Sequence, residues 1–372
     1  MKKLLLIHPA IAPYLVDQFN HLSEQFDLEV IFIFDNVWNH KFDQSKLMAQ
    51  LKFKYSYLLK GPHYKGRVFR FGILREIRKS NPDIIIGYEY SFITQYLILL
   101  KRLGLIKQKL GSTIDDSIDI CHHIQSKIRF FARQNSVHQL DYLVVFTSEV
   151  SKYYQDTFKL KEDQIIVSPI LQEPERLRSN GEELERIAKQ YSQKYQLKGK
   201  KVLLFVGRFI PEKALPKFIK TINDFLQEQQ KVVLILVGDG EDRQTLETLV
   251  REKRLEKTVL LPGRYEGQEL YPWYLCASGF VLPSTYEPYG AVVNEALIFG
   301  LKTFCSLYAG ASSLIDTEKG MLFDPLKEIE TVEKFKYFLD SIDIIEEIDM
   351  NDKPSLMSNH QEIFIKEWSK LK

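Results

Sequence analysis

Short apolar runs recur along the chain, each followed by turn residues and then by a segment with helical periodicity. In the first half the runs are Lys3–His8, Leu28–Phe34, Asp83–Gly87, Lys109–Thr113, Tyr142–Thr147 and Gln164–Ser168. In the second half they are Val202–Val206, Val232–Val237, Thr258–Leu261, Gly279–Leu282 and Thr303–Ser306. Helix patterns fill the first series at Pro13–Gln25, Gly66–Lys79, Phe92–Gly104, Ser126–Gln139 and Ser148–Phe158. They fill the second at Lys213–Gln227, Arg243–Lys253, Glu269–Leu275 and Gly290–Gly300. Such alternation predicts an α/β chain with parallel sheets and helices on both faces of each. Glu173–Gln196, broken at Ser179-Asn180-Gly181, reads as a linker with an exposed helix between the two series. At 372 residues the chain is long enough for two domains. Two doubly wound halves imply a cleft, with ligands beyond the carboxyl ends of the strands. The last segment, Gln361–Lys372, has Ile363, Phe364, Ile365, Trp368 and Leu371 as the apolar positions of an amphipathic helix.

Hydrophobic content of 45% and charged content of 27% fit an ordinary soluble protein. The longest apolar stretches, such as Tyr96–Leu100, are too short to span a bilayer. Met1-Lys2-Lys3 before Leu4–Ile7 resembles a signal peptide only superficially; the apolar part is short and no small-residue cleavage site follows. Three widely spaced cysteines, Cys121, Cys276 and Cys305, argue for a reducing cytoplasm, with neither a disulfide framework nor a zinc site. Charge is unevenly distributed. Residues 1–160 hold 22 Lys+Arg and 15 Asp+Glu, a balance of +7, and the remainder holds 29 and 34, a balance of −5. Within Lys52–Lys79, Lys52, Lys54, Lys60, Lys65, Arg67, Arg70, Arg75, Arg78 and Lys79 stand against one acid, Glu76, with tyrosines and phenylalanines interleaved. That composition suits the anionic inner face of a membrane or a lipid-phosphate acceptor, the plainer alternative being a solvated helix face. A near-neutral total and the lack of any nucleic-acid motif argue against DNA or RNA.

The richest motif is Tyr286-Glu287-Pro288-Tyr289-Gly290-Ala291-Val292-Val293-Asn294-Glu295, directly after the apolar run ending at Pro283. It reads as a strand, a sharp turn and a helix opening at about Gly290. Glu287 lies in the turn, and Glu295 lies about 7 Å along the helix axis from Gly290. The first N–H groups of the helix, between the two carboxylates, have no intrahelical partner and carry partial positive charge. A nucleotide-sugar fits this arrangement, with its diphosphate on the helix end and its hydroxyls on the carboxylates. Upstream, Gly207-Arg208 and Lys213 follow a strand, so both cations can converge on one anion whose charge grows as a glycosidic bond breaks. Gly238-Asp239-Gly240 is a weak turn signal, because Arg243 stands where a dinucleotide fold would place a third Gly. Pro262-Gly263-Arg264-Tyr265 ends the next strand and could line a base pocket.

In this order, Gly207-Arg208…Glu212-Lys213, Gly238-Asp239-Gly240, Pro262-Gly263-Arg264 and Glu287-x7-Glu295, the chain resembles glycosyltransferase family 4 over about residues 200–325. These are retaining enzymes of the GT-B fold, with two Rossmann-like domains facing across a cleft. The resemblance implies an acceptor domain at 1–170, a donor domain at 171–355 and a helix at 356–372 returning to the first. It implies that Arg208 and Lys213 hold the donor diphosphate and that Glu295 binds ribose. Glu287 with the backbone near Tyr289, Gly290 and Ala291 would position the sugar, and Arg264 and Tyr265 would flank the base. Gly207 and Gly238 would complete the donor site. The donor is then a nucleoside-diphosphate sugar, UDP rather than GDP, used as substrate with no cofactor and no metal. The acceptor is a saccharide or lipid-linked glycan in surface polysaccharide or lipopolysaccharide assembly, and the protein is cytoplasmic or peripheral to the membrane. Two departures mark this chain. His8-Pro9-Ala10-Ile11-Ala12-Pro13-Tyr14 replaces a Gly-rich loop, and Thr113-Ile114-Asp115-Asp116 replaces a His-Asp. Tyr14, Glu89, Asp115 and Asp116 are the acceptor-side candidates. A nucleotide-sugar epimerase and a silent regulatory subunit are the rival readings.

Overall fold

The computed structural model describes residues 1–37, 42–64, 67–123, 127–228, 231–357 and 360–372. They form two units, Met1–Gln172 with Asn359–Lys372, and Glu173–Ser358. In the first unit the strands are β1 (Lys3–His8), β2 (Asp27–Phe32), β3 (Lys54–Tyr57), the short antiparallel hairpin β4 (His63–Tyr64) and β5 (Arg67–Val68), β6 (Ile84–Tyr88), β7 (Lys109–Thr113), β8 (Tyr142–Val145) and β9 (Ile165–Val167). Seven of them pair in the order β3-β2-β1-β6-β7-β8-β9. Every described pairing in this sheet is parallel, with Leu4 opposite both Leu28 and Ile84. Side chains alternate across a strand, so one strand feeds two cores. Leu5 and Ile7 pack with Ile73, Ile77, Leu97 and Tyr154 on one face. Leu4 and Leu6 pack with Val16, Phe19, Leu22 and Trp368 on the other.

The second unit repeats the plan with β10 (Lys201–Val206), β11 (Val232–Val237), β12 (Val259–Gly263), β13 (Gly279–Leu282), β14 (Lys302–Ser306) and β15 (Gly320–Phe323). Their order is β12-β11-β10-β13-β14-β15, again parallel throughout the described pairings. In both sheets the chain winds outward one way from the first strand and then the other. A crevice therefore opens beyond the carboxyl ends of β1 and β6, and of β10 and β13.

The terminal helix His360–Ser369 belongs to the first unit. Phe364, Trp368 and Leu371 are buried there, the Trp368 indole donates to Ser168 Oγ at 2.9 Å, and Glu367 accepts the Val167 N–H at 2.8 Å. Ile363 and Ile365, read as part of its apolar face, are exposed instead.

Other expectations need correction. Gly66, read as the start of a helix, lies with Lys65 outside the described residues. Lys54–Tyr57 adds an edge strand to β2, and the helix runs from Ile73 to Ser80 after Gly72 at φ +94°. Tyrosine-rich alternation suits a half-exposed edge strand better than a helix. Ser126 also lies outside the described residues, and that helix is described as Lys127–Val137. The pattern Lys213–Gln227 breaks into Leu215–Thr221 and Asn223–Glu228, since Ala214 is left-handed at φ +52° and Pro216 starts the first of these helices. Helix Gly181–Tyr195 is not simply exposed. It buries Leu184 and Ala188, and Tyr191 stacks on Trp273 at 4.4 Å.

Candidate active site

In the second unit the donor-side candidates collect where β10 and β13 end. β10 runs into Gly207 and Arg208, and a tight turn at Pro211–Lys213 brings Lys213 back. β13 runs into the loop 283–291 and then the helix Val292–Ile298. That loop is fixed on both sides. Thr285 N–H donates to Glu212 O at 2.9 Å, Gly310 N–H to Glu287 O at 3.1 Å and Ala311 N–H to Tyr289 O at 2.7 Å. Gly290 has φ +94°, and a Cβ there would sit 3.2 Å from Glu287 Cγ, so glycine meets both the turn and the packing. Gly238 also meets a packing need: a Cβ there would lie 1.9 Å from the Gly207 carbonyl oxygen. Its bareness lets two strand-end loops pack backbone to backbone.

Lys213 and Glu287 form an ion pair, with side chains 14% and 12% exposed. Arg208 is exposed and has no hydrogen-bond or ion-pair partner among the described residues. The N–H groups of Gly290, Ala291 and Val292 likewise have no partner among the described residues. Glu295 is buried in the first turn of its helix, and its carboxylate accepts the Tyr274 hydroxyl at 2.6 Å. Burial first, and then the charge of Glu295, holds the Tyr274 phenol well above the usual tyrosine range. Tyr289 is buried in the loop. Arg264 and Tyr265, read together as flanking a base, have separate neighbours. Arg264 pairs with Glu266, and Tyr265 packs edge-on against Tyr191 and Trp273 at 5.7 and 5.4 Å.

In the first unit Glu89, Asp115 and Asp116 come together past the ends of β6 and β7. Glu89 has a left-handed backbone, φ +53°, held by its N–H on Thr113 O at 2.7 Å and by Ser112 Oγ donating to its carbonyl at 2.8 Å. Its side chain accepts the Asp115 N–H at 2.5 Å. Burial, reinforced by Asp116 and Asp115, pushes its carboxyl up to about 8. Asp116 is buried, accepts Arg133 at 2.6 Å and accepts the Tyr154 hydroxyl at 2.9 Å. Arg133 also lies over the Tyr90 ring at 4.8 Å. Asp116 is thus tied into the domain, whereas Glu89 and Asp115 are only half-buried. Half-buried Tyr14 stands on the turn Pro13–Leu15, close enough to add to the upward shift of the Tyr88 phenol, behind burial, Asp115 and Glu89. His8 is pushed down to about 4 by burial, which leaves it neutral at pH 7. A cavity of about 30 Å³ beside it is lined by Gln18, Tyr88 and Trp368.

Sequence reasoning missed Tyr274, Arg133 and Tyr154. Their roles come from contacts between separate elements, and the run Tyr271-Pro272-Trp273-Tyr274-Leu275 looks like plain core. Among the described residues, no group of three or more His, Cys, Asp or Glu is arranged to hold a metal ion. No described helix is long and apolar enough to cross a membrane.

Residues 188–351 match the family model described as glycosyl transferases group 1. An uncharacterized glycosyltransferase of Methanocaldococcus jannaschii, MJ1607, is 32% identical over 118 residues, which is 32% of this chain and 30% of that protein. A second from the same organism, MJ1069, is 25% identical over 95% of this chain and 91% of its own length. This chain spans less than two thirds of the length of the first curated relatives it matches. Among solved structures, Anabaena Alr3699/HepE in complex with UDP superposes with TM-score 0.69 at 14% identity, covering 99% of both chains. The two parallel-sheet domains have the GT-B fold.

Proposed function

We propose that this chain is a retaining glycosyltransferase that moves a sugar from a nucleoside-diphosphate sugar to a saccharide or lipid-linked acceptor. The observation that carries the reading is the group 1 match over residues 188–351, because it spans Arg208, Lys213, Glu287 and Glu295 where β10 and β13 end. In the transfer, the bond from the anomeric carbon to the diphosphate oxygen breaks. The bond to the acceptor oxygen forms on the same face, so configuration is retained. The acceptor proton passes to the leaving diphosphate oxygen, and the step needs no side-chain base. Arg208 and the N–H groups of Gly290–Val292 meet the growing negative charge. Lys213 exchanges Glu287 for the diphosphate, and this exchange frees Glu287 for sugar hydroxyls. Glu295 takes the ribose.

UDP rather than GDP is the donor nucleotide proposed; HepE, which shares the fold, was solved with UDP. The half-buried carboxylates Glu89 and Asp115, with Tyr14, suit the hydroxyl groups of an acceptor. Surface polysaccharide or lipopolysaccharide assembly is the process proposed, with peripheral attachment to the inner membrane face. Tyr55, Tyr57, Leu59 and Phe71 are exposed beside Lys54, Lys60, Arg75, Arg78 and Lys79. Arg70 does not join that surface. It is buried and donates to Ile33 O at 2.8 Å and Leu59 O at 2.7 Å.

The test is thermal stabilisation by a panel of nucleoside diphosphates. A ligand at a hundred times its Kd adds about 2.7 kcal/mol. Stabilisation by UDP that is lost in Glu295→Ala supports the reading. Lack of response to every diphosphate overturns it.

A further inference from the structure

Glu295 does not set its own direction. Its carboxylate accepts the Tyr274 hydroxyl at 2.6 Å, and the ring that carries this hydroxyl has little freedom. Tyr274 is 0% exposed. Phe299 stacks against it at 5.5 Å and 13°, and Phe280 at 6.0 Å and 22°. Phe280 lies in β13 and Phe299 directly follows the helix Val292–Ile298 that carries Glu295, so the ring is held by the elements that build the site.

The two helices are also tied together at their far ends. Lys353, half-buried, donates to Leu275 O at 2.8 Å and to Ala277 O, at the end of the helix Tyr271–Leu275. Arg178 donates to Ile298 O at 2.9 Å, at the end of the Glu295 helix, and to Lys353 O at 2.7 Å and Met350 O at 2.8 Å. A cation at each carboxyl end suits the helix dipole. Both helices are therefore pinned to one segment, 350–353, and the distance from Tyr274 to Glu295 is set from both sides.

We propose that Tyr274 is a positioning residue for ligand recognition by Glu295, holding the carboxylate in the orientation that selects a ribose diol. The proposal rests on the donor reading given above. A carboxylate near the surface with several rotamers would contact a diol only part of the time. One oxygen locked by a rigid phenol removes that freedom before the ligand arrives.

The test uses the full chain and calorimetric titration. UDP, GDP and ADP are screened, and the tightest binder is compared with its 2′,3′-dideoxy analogue. The ratio of the two affinities reports diol recognition. In the parent the ratio is about ten to a hundred, the size of a hydrogen bond to a charged group. Glu295→Ala brings it close to one. Tyr274→Phe keeps the stacked ring and removes only the hydroxyl; it lowers the ratio about three- to tenfold while leaving the melting temperature within a few degrees of the parent. In the double variant Tyr274→Phe has no further effect on the ratio, because its action runs through Glu295. A purely structural Tyr274 would shift melting temperature and leave the ratio unchanged. That outcome, or equal effects of Tyr274→Phe with and without Glu295, overturns the proposal and leaves the donor reading standing. A ratio undisturbed by Glu295→Ala, or failure of all three nucleotides to bind, overturns the donor reading and this proposal with it.

Discussion

The two units place carboxylates at equivalent points, past the strand ends at the crevice of a parallel sheet, yet they treat them in opposite ways. In the second unit each candidate has its own donor: Glu287 has Lys213 and Glu295 has Tyr274. In the first, three carboxyls crowd together, and the arginine among them, Arg133, is engaged by Asp116. Burial and the neighbouring acids then push Glu89 up to about 8. The difference teaches what each region suits. Lys213, exposed Arg208 and a row of N–H groups suit an anion. The first region, with a Glu89 carboxyl held mostly neutral at pH 7 and a neutral His8, suits uncharged hydroxyls.

The contrast can be broken at three points. The largest effect is expected at Arg133. Arg133→Met leaves Asp116 buried without its cation, which costs about 3–5 kcal/mol for a buried pair broken on one side. Urea unfolding should show that loss, and unchanged stability would mean that the first cluster is not held by this pair. Next comes Arg208→Ala. Its side chain is exposed, so the melting temperature should hold while turnover falls about a hundred- to a thousandfold, as when one oxyanion donor is removed. Wild-type turnover would remove the second region's claim to the leaving group. The third point is the pH dependence of Glu89, a slope spread over several pH units. Burial and the neighbouring acids push its folded carboxyl from the ordinary 4.5 up to about 8, so the folded state binds the extra proton between those limits. The stability it contributes is fully present below 4.5 and is lost as pH rises through 8. Glu89→Gln removes that slope, at most about 1.4 kcal/mol per pH unit. The variant should therefore gain on the parent from pH 5 to 8 and show no relative gain below it. Parallel pH–stability curves would contradict the crowding.

The fold and the second region were legible for one reason, and the first region was obscure for its converse. Strand–helix alternation is local, so the β10–β15 sheet can be read from short apolar runs and the turns after them. Glu287 and Glu295 share one turn-and-helix segment, and their spacing alone places them together. Tyr274 is 21 residues from its partner Glu295, across a strand and a loop, and nothing in its neighbourhood separates a core tyrosine from one that holds a carboxylate. Arg133 reaches Asp116 across 17 residues, and Tyr154 does so across 38. Arg70 failed in the other direction. A basic, aromatic stretch reads as surface, but this guanidinium satisfies two backbone carbonyls in the interior. The edge strand Lys54–Tyr57 was hidden because its pairing partner, β2, lies in another segment of the chain.

The central claim is that the second unit takes the diphosphate of a nucleotide-sugar. Equilibrium titration of the full chain with a nucleoside diphosphate and the monophosphate of the same base tests it most directly. The account predicts one site per chain and at least about tenfold tighter binding of the diphosphate, about 1.4 kcal/mol, since the second phosphate reaches Arg208 and Lys213. That preference should vanish in the Arg208→Ala, Lys213→Ala double variant. Equal affinity for the two nucleotides, or a preference that survives in the double variant, would contradict it.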